Sequence, residues 1–158
     1  MNTQNHGSSQ HGAFRANDPL VGKTIGGRYT ILRLIGRGGV GLVYLASQVD
    51  AAELVVIKVL APDWAHNREA LARFEREVER LGTLHHPNIV RMLDYGHEDG
   101  RGYMVMEYVD GVTLGQYIRQ RGALELERFV PIAAQILKGI GYAHSRGMIH
   151  RDLKPSNL

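Results

Sequence analysis

From Tyr29 onward, short apolar runs alternate with glycine-bearing turns before the chain settles into longer amphipathic segments. Tyr29–Ile35 reads as a strand, IGRGGVG as a glycine-rich turn, and Leu42–Ala46 as a second strand. Leu54–Leu60, rich in β-branched residues, reads as a third. Apolar residues then fall at 70, 71, 74, 78, 81 and 84, a period near 3.6 that predicts a helix over 67–84 with Asn67 as its N-cap. His86-Pro87-Asn88 stops that helix. Ile89–Tyr95 and Tyr103–Tyr108 pair as a hairpin around Glu98-Asp99-Gly100. Thr113 is placed to cap a short helix that ends at Gly122. Leu126–Ser145 carries Phe129, Ile132, Ile136, Leu137, Ile140 and Ala143 on one face, with Pro131 expected to bend its first turns. The order β-β-β-α-β-β followed by helices predicts an α+β fold with a five-stranded antiparallel sheet and one main helix over it.

Composition narrows the setting. The chain has 158 residues, 44 % apolar and 22 % charged, room for one domain and a tail. Residues 1–20 are rich in Asn, Gln, His, Gly and Ser without any period and are expected to be a disordered tail. His6 and His11 within it read as solvated histidines rather than metal ligands. Cysteine is absent, which excludes disulfide frameworks and cysteine-based metal sites. No apolar run approaches the ~20 residues of a membrane helix, and MNTQNHGSSQHG lacks the apolar core of a secretory signal. The net charge of +3 is dispersed, with scattered arginines that often sit beside glutamates, so no nucleic-acid partner is expected.

The chemistry begins at Gly36-Arg37-Gly38-Gly39-Val40-Gly41, a G-x-G-x-x-G run. A dinucleotide-binding unit requires a helix directly after it, but LVYLASQV is strand-like. A Walker A loop ending at Gly22-Lys23-Thr24 would need glycine at position 17, which is Asn. The remaining reading is a glycine hairpin folded over nucleotide phosphates, followed by a lysine on the next strand. Lys58, seventeen residues after Gly41 in VVIK, supplies that lysine. Glycines let backbone N–H groups approach phosphate oxygens, and a strand-borne ammonium delivers a point charge to them. An ammonium in an apolar strand needs an anion. Glu77 shares the inward helical register with Phe74 and Leu81, whereas Glu69, Glu75 and Glu79 read as solvated. Arg73, four residues before Glu77, is a competitor for it.

Together with RFEREVERLGTLHHPNIV, VMEYVDGVTL and HRDLKPSN, these residues resemble a eukaryotic-type protein kinase domain, close to the bacterial serine/threonine kinases. The resemblance runs over residues 21–158 and implies an N-lobe at 21–108, followed by a hinge and partial helical C-lobe at 109–158. It implies ATP and Mg2+ as cofactors and a protein Ser/Thr hydroxyl as acceptor. By the same resemblance Gly36, Gly38 and Gly41 shape the phosphate cover, and Ile35, Val43 and Val56 roof the adenine. Lys58 holds phosphates and pairs with Glu77, Met106 is the gatekeeper, and backbone groups of Glu107 and Val109 meet the adenine edge. Asp152 accepts the substrate proton, Lys154 neutralises the transferred phosphoryl, and Asn157 ligates magnesium. Lys154 favours Ser/Thr over Tyr acceptors, and Arg151 resembles kinases activated by loop phosphorylation. Two residues depart from the family pattern: Val40 at the loop tip and Val56 where Ala is usual. The D-F-G segment, activation loop and A-P-E segment are not in these 158 residues. The chain is therefore expected to be the N-terminal part of a kinase, inactive alone, with a Leu126–Ser145 stripe open to self-association. The alternatives are a non-catalytic nucleotide- or partner-binding module and an unstable truncated product. The expected compartment is the cytoplasm; bacterial relatives often carry a membrane span beyond the kinase domain, which leaves membrane anchoring of a longer parent open.

Overall fold

The computed structural model describes residues 18–38, 41–60 and 68–158. Six strands form one antiparallel sheet: β1 (Thr24–Ile25), β2 (Tyr29–Arg37), β3 (Gly41–Gln48), β4 (Leu54–Leu60), β5 (Met92–Glu98) and β6 (Arg101–Glu107). Their spatial order is β1-β2-β3-β4-β6-β5. Helix α1 (Arg68–Gly82) crosses between β4 and β5, and α2 (Leu114–Arg121), α3 (Leu126–Ser145) and a 3-10 turn (Pro155–Asn157) follow the sheet.

The expected strand count of five becomes six. Thr24–Ile25 is too short to show any periodicity, but Gly26 and Gly27, at φ 59° and 66°, turn the three-residue link 26–28 that folds it onto Tyr29–Thr30. The β5–β6 hairpin turns in the same way at Asp99-Gly100, φ 49° and 74°. Its first strand, Met92–Glu98, begins and ends three residues later than expected, and its second, Arg101–Glu107, begins two residues and ends one residue early. The expected caps of α2 are both present: the Thr113 hydroxyl accepts from the Gln116 N–H, and Gly122 closes the helix at φ 83°. Helix α3 runs unbroken through Pro131. The Asn67 cap and the tail histidines lie outside the described residues.

Strand alternation sorts side chains onto two faces. Val55, Ile57 and Val59 join Ile31, Tyr44, Ala46, Tyr103 and Val105 in the larger core. Leu60 and Met104 face the other way and pack with Phe74 and Val78 of α1. The larger core is closed at its end by polar ties between the two sheet edges. Arg28 pairs with Asp94, the Tyr29 hydroxyl donates to Asp94 at 3.0 Å, and the Gly26 N–H donates to Glu98. Asp18, in the segment expected to be tail, accepts from the buried Tyr44 hydroxyl at 3.1 Å. Burial, then the Asp18 charge and hydrogen bond, push the Tyr44 phenol well above its ordinary value.

Candidate functional site

Lys58 reaches the site because β4 alternates. With its neighbours Val55, Ile57 and Val59 turned into the larger core, Val56 and Lys58 share the opposite face. Across the ladder Lys58 stands opposite Val43 and Met104, and Val56 opposite Leu45 and Met106. Helix α1 is held over this face by Phe74 and Val78, and that register carries Glu77 to the lysine: Nζ to Oε1 is 2.8 Å. Arg73 turns to Glu69 at 3.5 Å and does not compete. Glu75, expected to be solvated, lies 3.6 Å from His97 on β5. Lys58 and Glu77 are 28 % and 47 % exposed, so their pairing contributes at most about 1 kcal/mol to stability. Its consequence is positional: the ammonium is fixed on a rigid strand beside the glycine hairpin.

That hairpin joins β2 to β3. The Gly38 N–H donates to the Gly41 carbonyl at 2.8 Å, and Gly36 pairs with Val43. The three glycines differ in what requires them. A Cβ at Gly41 would sit 2.7 Å from the Val59 carbonyl oxygen, whereas one at Gly36 or Gly38 would meet ordinary contacts at 3.6 and 3.7 Å. Gly41 is thus demanded by sheet packing, while Gly36 and Gly38 leave an open backbone surface. Ile35 is half-buried at a bulge between Leu34 and Gly36. Val40, at the tip, lies outside the described residues.

Beyond β6 the chain passes Tyr108 and the exposed Val109 into α2. Glu107 is tied to Arg91 twice: its N–H donates to the Arg91 carbonyl at 3.0 Å, and its Oε1 accepts from the Arg91 N–H at 2.8 Å. This second contact was not legible in the sequence, because nothing in spacing or periodicity links residues 91 and 107.

The 150–157 turn assembles a third cluster. Asp152 Oδ2 accepts from Lys154 Nζ at 2.9 Å and from Asn157 Nδ2 at 3.1 Å, and Asn157 Nδ2 also donates to the Asp152 carbonyl at 2.8 Å. The Asp152 N–H donates to His150 Nδ1 at 3.2 Å. Arg151 adopts φ 62°, a left-handed conformation that costs a non-glycine residue energy and turns the backbone sharply before Asp152. Helix α2 props the turn: the Leu114 N–H donates to the Leu158 carbonyl at 2.7 Å, and Gly115 admits the Pro155–Ser156 backbone. The Lys154 ammonium, then the Asn157 amide, hold the exposed Asp152 carboxyl below its usual range. No hydrogen bond or ion pair joins this cluster to the Lys58–Glu77 pair among the described residues.

Among the described residues no group of three or more His, Asp or Glu side chains converges as a metal site. The donor chemistry still fits one magnesium ligand. With Asn157 Nδ2 turned to Asp152, its Oδ1 is available as a hard oxygen donor, and Mg2+ commonly takes few protein ligands beside waters and phosphates. A surface depression bordered by Lys23, Ile25, Val59, Arg101 and Tyr103 lies on the other sheet face, away from these groups.

The protein kinase domain model matches residues 29–158. The chain belongs to that family. The kinase chain is 46 % identical over 139 residues to the serine/threonine-protein kinase PrkC of Bacillus subtilis, covering 88 % of this chain and 22 % of that protein. It is 42 % identical over 142 residues to the serine/threonine-protein kinase pkn3 of Myxococcus xanthus, covering 89 % and 26 %. The PknI kinase domain of Mycobacterium tuberculosis superposes with a TM-score of 0.72 at 36 % identity, over 86 % of this chain and 55 % of that one. The kinase chain thus spans about a quarter or less of these two curated relatives and about half of the solved domain. Kinases of this family use ATP and a divalent metal, which is the chemistry a glycine hairpin beside a strand-borne lysine is suited to. No helix among the described residues is long and apolar enough to cross a membrane.

Proposed function

We propose that this chain carries the nucleotide-binding half and the catalytic turn of a serine/threonine protein kinase. The observation that carries the reading is the Lys58–Glu77 pair at 2.8 Å, on the sheet face that Val43 and Val56 share and beside an open glycine hairpin. Gly36, Gly38 and Gly41 present the backbone to the phosphates of ATP, Lys58 neutralises them, and Ile35, Val43 and Val56 cover the adenine. Met106 borders the base, and Glu107 and Val109 offer backbone groups to its edge. Asp152 takes the proton of a Ser or Thr hydroxyl as that oxygen bonds the γ-phosphorus. The bond from phosphorus to the β–γ bridging oxygen breaks and ADP departs, with Lys154 balancing charge on the moving phosphoryl. Magnesium, with Asn157 as one ligand, would supply further neutralisation of the phosphates. Protein Ser/Thr hydroxyls are the proposed acceptors and the cytoplasm, where Mg·ATP is abundant, the proposed compartment. A non-catalytic module has no observation in its favour, since Lys58, Glu77, Asp152, Lys154 and Asn157 all keep catalytic side-chain types.

The test is thermal unfolding with and without Mg·ATP. Ligand at a hundredfold excess over Kd should add about 2.7 kcal/mol of stability, and Lys58→Met should remove that increment while leaving the unliganded melt nearly unchanged. A folded chain that gains nothing from Mg·ATP, or a Lys58→Met variant that gains as much as the parent, refutes the reading.

A further inference from the structure

The tie between Glu107 and Arg91 departs from ladder rules in a way that bears on the adenine edge. In an antiparallel hydrogen-bonded pair, the two residues exchange both N–H···O=C bonds. Residues 91 and 107 form only half of that exchange through backbone: the Glu107 N–H donates to the Arg91 carbonyl at 3.0 Å. The reciprocal donor, the Arg91 N–H, goes to the Glu107 side-chain Oε1 at 2.8 Å instead of to the Glu107 carbonyl. Nor does β4 claim that carbonyl. Successive pairs alternate between bonded and non-bonded kinds, and a residue bonded to one neighbour strand faces away from the other. Glu107 is bonded toward Arg91, so its pairing with Val55 on β4 is the non-bonded kind.

We propose that the Glu107 carboxylate substitutes for its own backbone carbonyl in the ladder. The carbonyl is thereby kept unclaimed to accept from the exocyclic amino group of adenine, and Glu107 becomes a positioning residue for base selection. The proposal rests on the adenine-binding reading above. It assigns the side chain a task distinct from that of the backbone: occupying the one nearby donor that would otherwise take up the base-reading acceptor. A carboxylate satisfies an N–H strongly at this distance, and an unsatisfied N–H at a strand end seeks the next acceptor, which here is the carbonyl. Loss of the side-chain acceptor therefore costs recognition of a 6-amino purine and leaves a 6-oxo purine, which offers no donor there, unaffected.

The experiment compares binding of Mg·ATP and Mg·ITP to the 158-residue chain and to its Glu107→Leu and Glu107→Gln variants. Glu107→Leu should weaken ATP about tenfold with ITP unchanged, and Glu107→Gln, which keeps an acceptor, should retain the parent's preference. Equal losses for both nucleotides, or no loss, overturn the inference and leave the ATP reading standing. A parent chain that binds neither nucleotide overturns the ATP reading. The contact itself is then decided without nucleotide: in the parent the Arg91 amide nitrogen should show scalar coupling across its hydrogen bond to the Glu107 side-chain carboxyl carbon, and in Glu107→Leu to the backbone carbonyl carbon of residue 107. A parent amide that couples to the backbone carbonyl carbon, or to neither, overturns the inference.

Discussion

Asp152 is exposed, yet Lys154 and Asn157 both hydrogen-bond its carboxylate, and the Arg151 backbone is forced to φ 62° to present it. Both partners favour the ionised form, so its pKa lies below the ordinary 3.8. The sign follows. As pH falls, the unfolded chain takes up this proton first. The turn's contribution is complete above the unfolded value and lost as pH falls through the lower, folded one. The Asp152 carboxylate therefore stays charged throughout the neutral and mildly acidic range, and any loss of nucleotide binding or turnover near pH 6 belongs to other groups. Carboxyl carbon shifts followed through an acid titration should place the Asp152 midpoint below that of a free aspartate. Lys154→Ala should raise it. A midpoint at or above the free value, unmoved by Lys154→Ala, would show that the cluster does not form in solution.

At the scale of elements, the glycine hairpin separates structural from chemical need. A methyl at position 41 would collide with the Val59 carbonyl oxygen at 2.7 Å, and backbone cannot step aside cheaply. Gly41→Ala should therefore cost about 1–3 kcal/mol in denaturant unfolding, whereas Gly36→Ala and Gly38→Ala should leave stability nearly unchanged and act only on nucleotide binding. Equal destabilisation at all three positions would contradict this division. The sequence shows G-x-G-x-x-G as a unit and cannot make the distinction, because it depends on which residue of β4 lies behind each glycine. The same limit explains what else was and was not legible. Period-2 and period-3.6 patterns are local, so β4, α1 and α3 were readable, as was the Glu77 register opposite Lys58. The sixth strand was hidden by its length of two residues and betrayed only by Gly26-Gly27. The Arg28–Asp94, Gly26–Glu98 and Arg91–Glu107 ties join residues brought together by pairing in space, where no sequence period runs.

Across the whole molecule, α3 is anchored along one side and open along another. Asn88 Nδ2 donates to Gln135 at 3.0 Å, the His85 N–H donates to the Tyr142 hydroxyl at 3.1 Å, and Gly139 lets the Asn88 backbone approach. These contacts draw Ile132, Ile136 and Ile140 into partial burial. The expected single apolar face therefore divides in two, because Phe129 and Leu137 do not join that side. Leu126, Phe129, Val130 and Leu137 instead share an adjoining stripe at i, i+3, i+4 and i+11. Leu126 is 72 % exposed and Leu137 68 %. Four large apolar side chains aligned on one helix favour removal from water. The 158-residue chain should therefore associate as its concentration rises over a roughly hundredfold range, seen as growing mass by light scattering. Val130→Glu with Leu137→Glu should hold it monomeric. The melting temperature should barely change, because neither side chain belongs to the two buried cores. The anchored side supplies the control: Gly139→Leu, crowding the Asn88 carbonyl already 3.0 Å from a Cβ, should lower the melting temperature without restoring the monomer. A chain that stays monomeric throughout, or that associates equally with both glutamates in place, would show that the open stripe is not the contact surface.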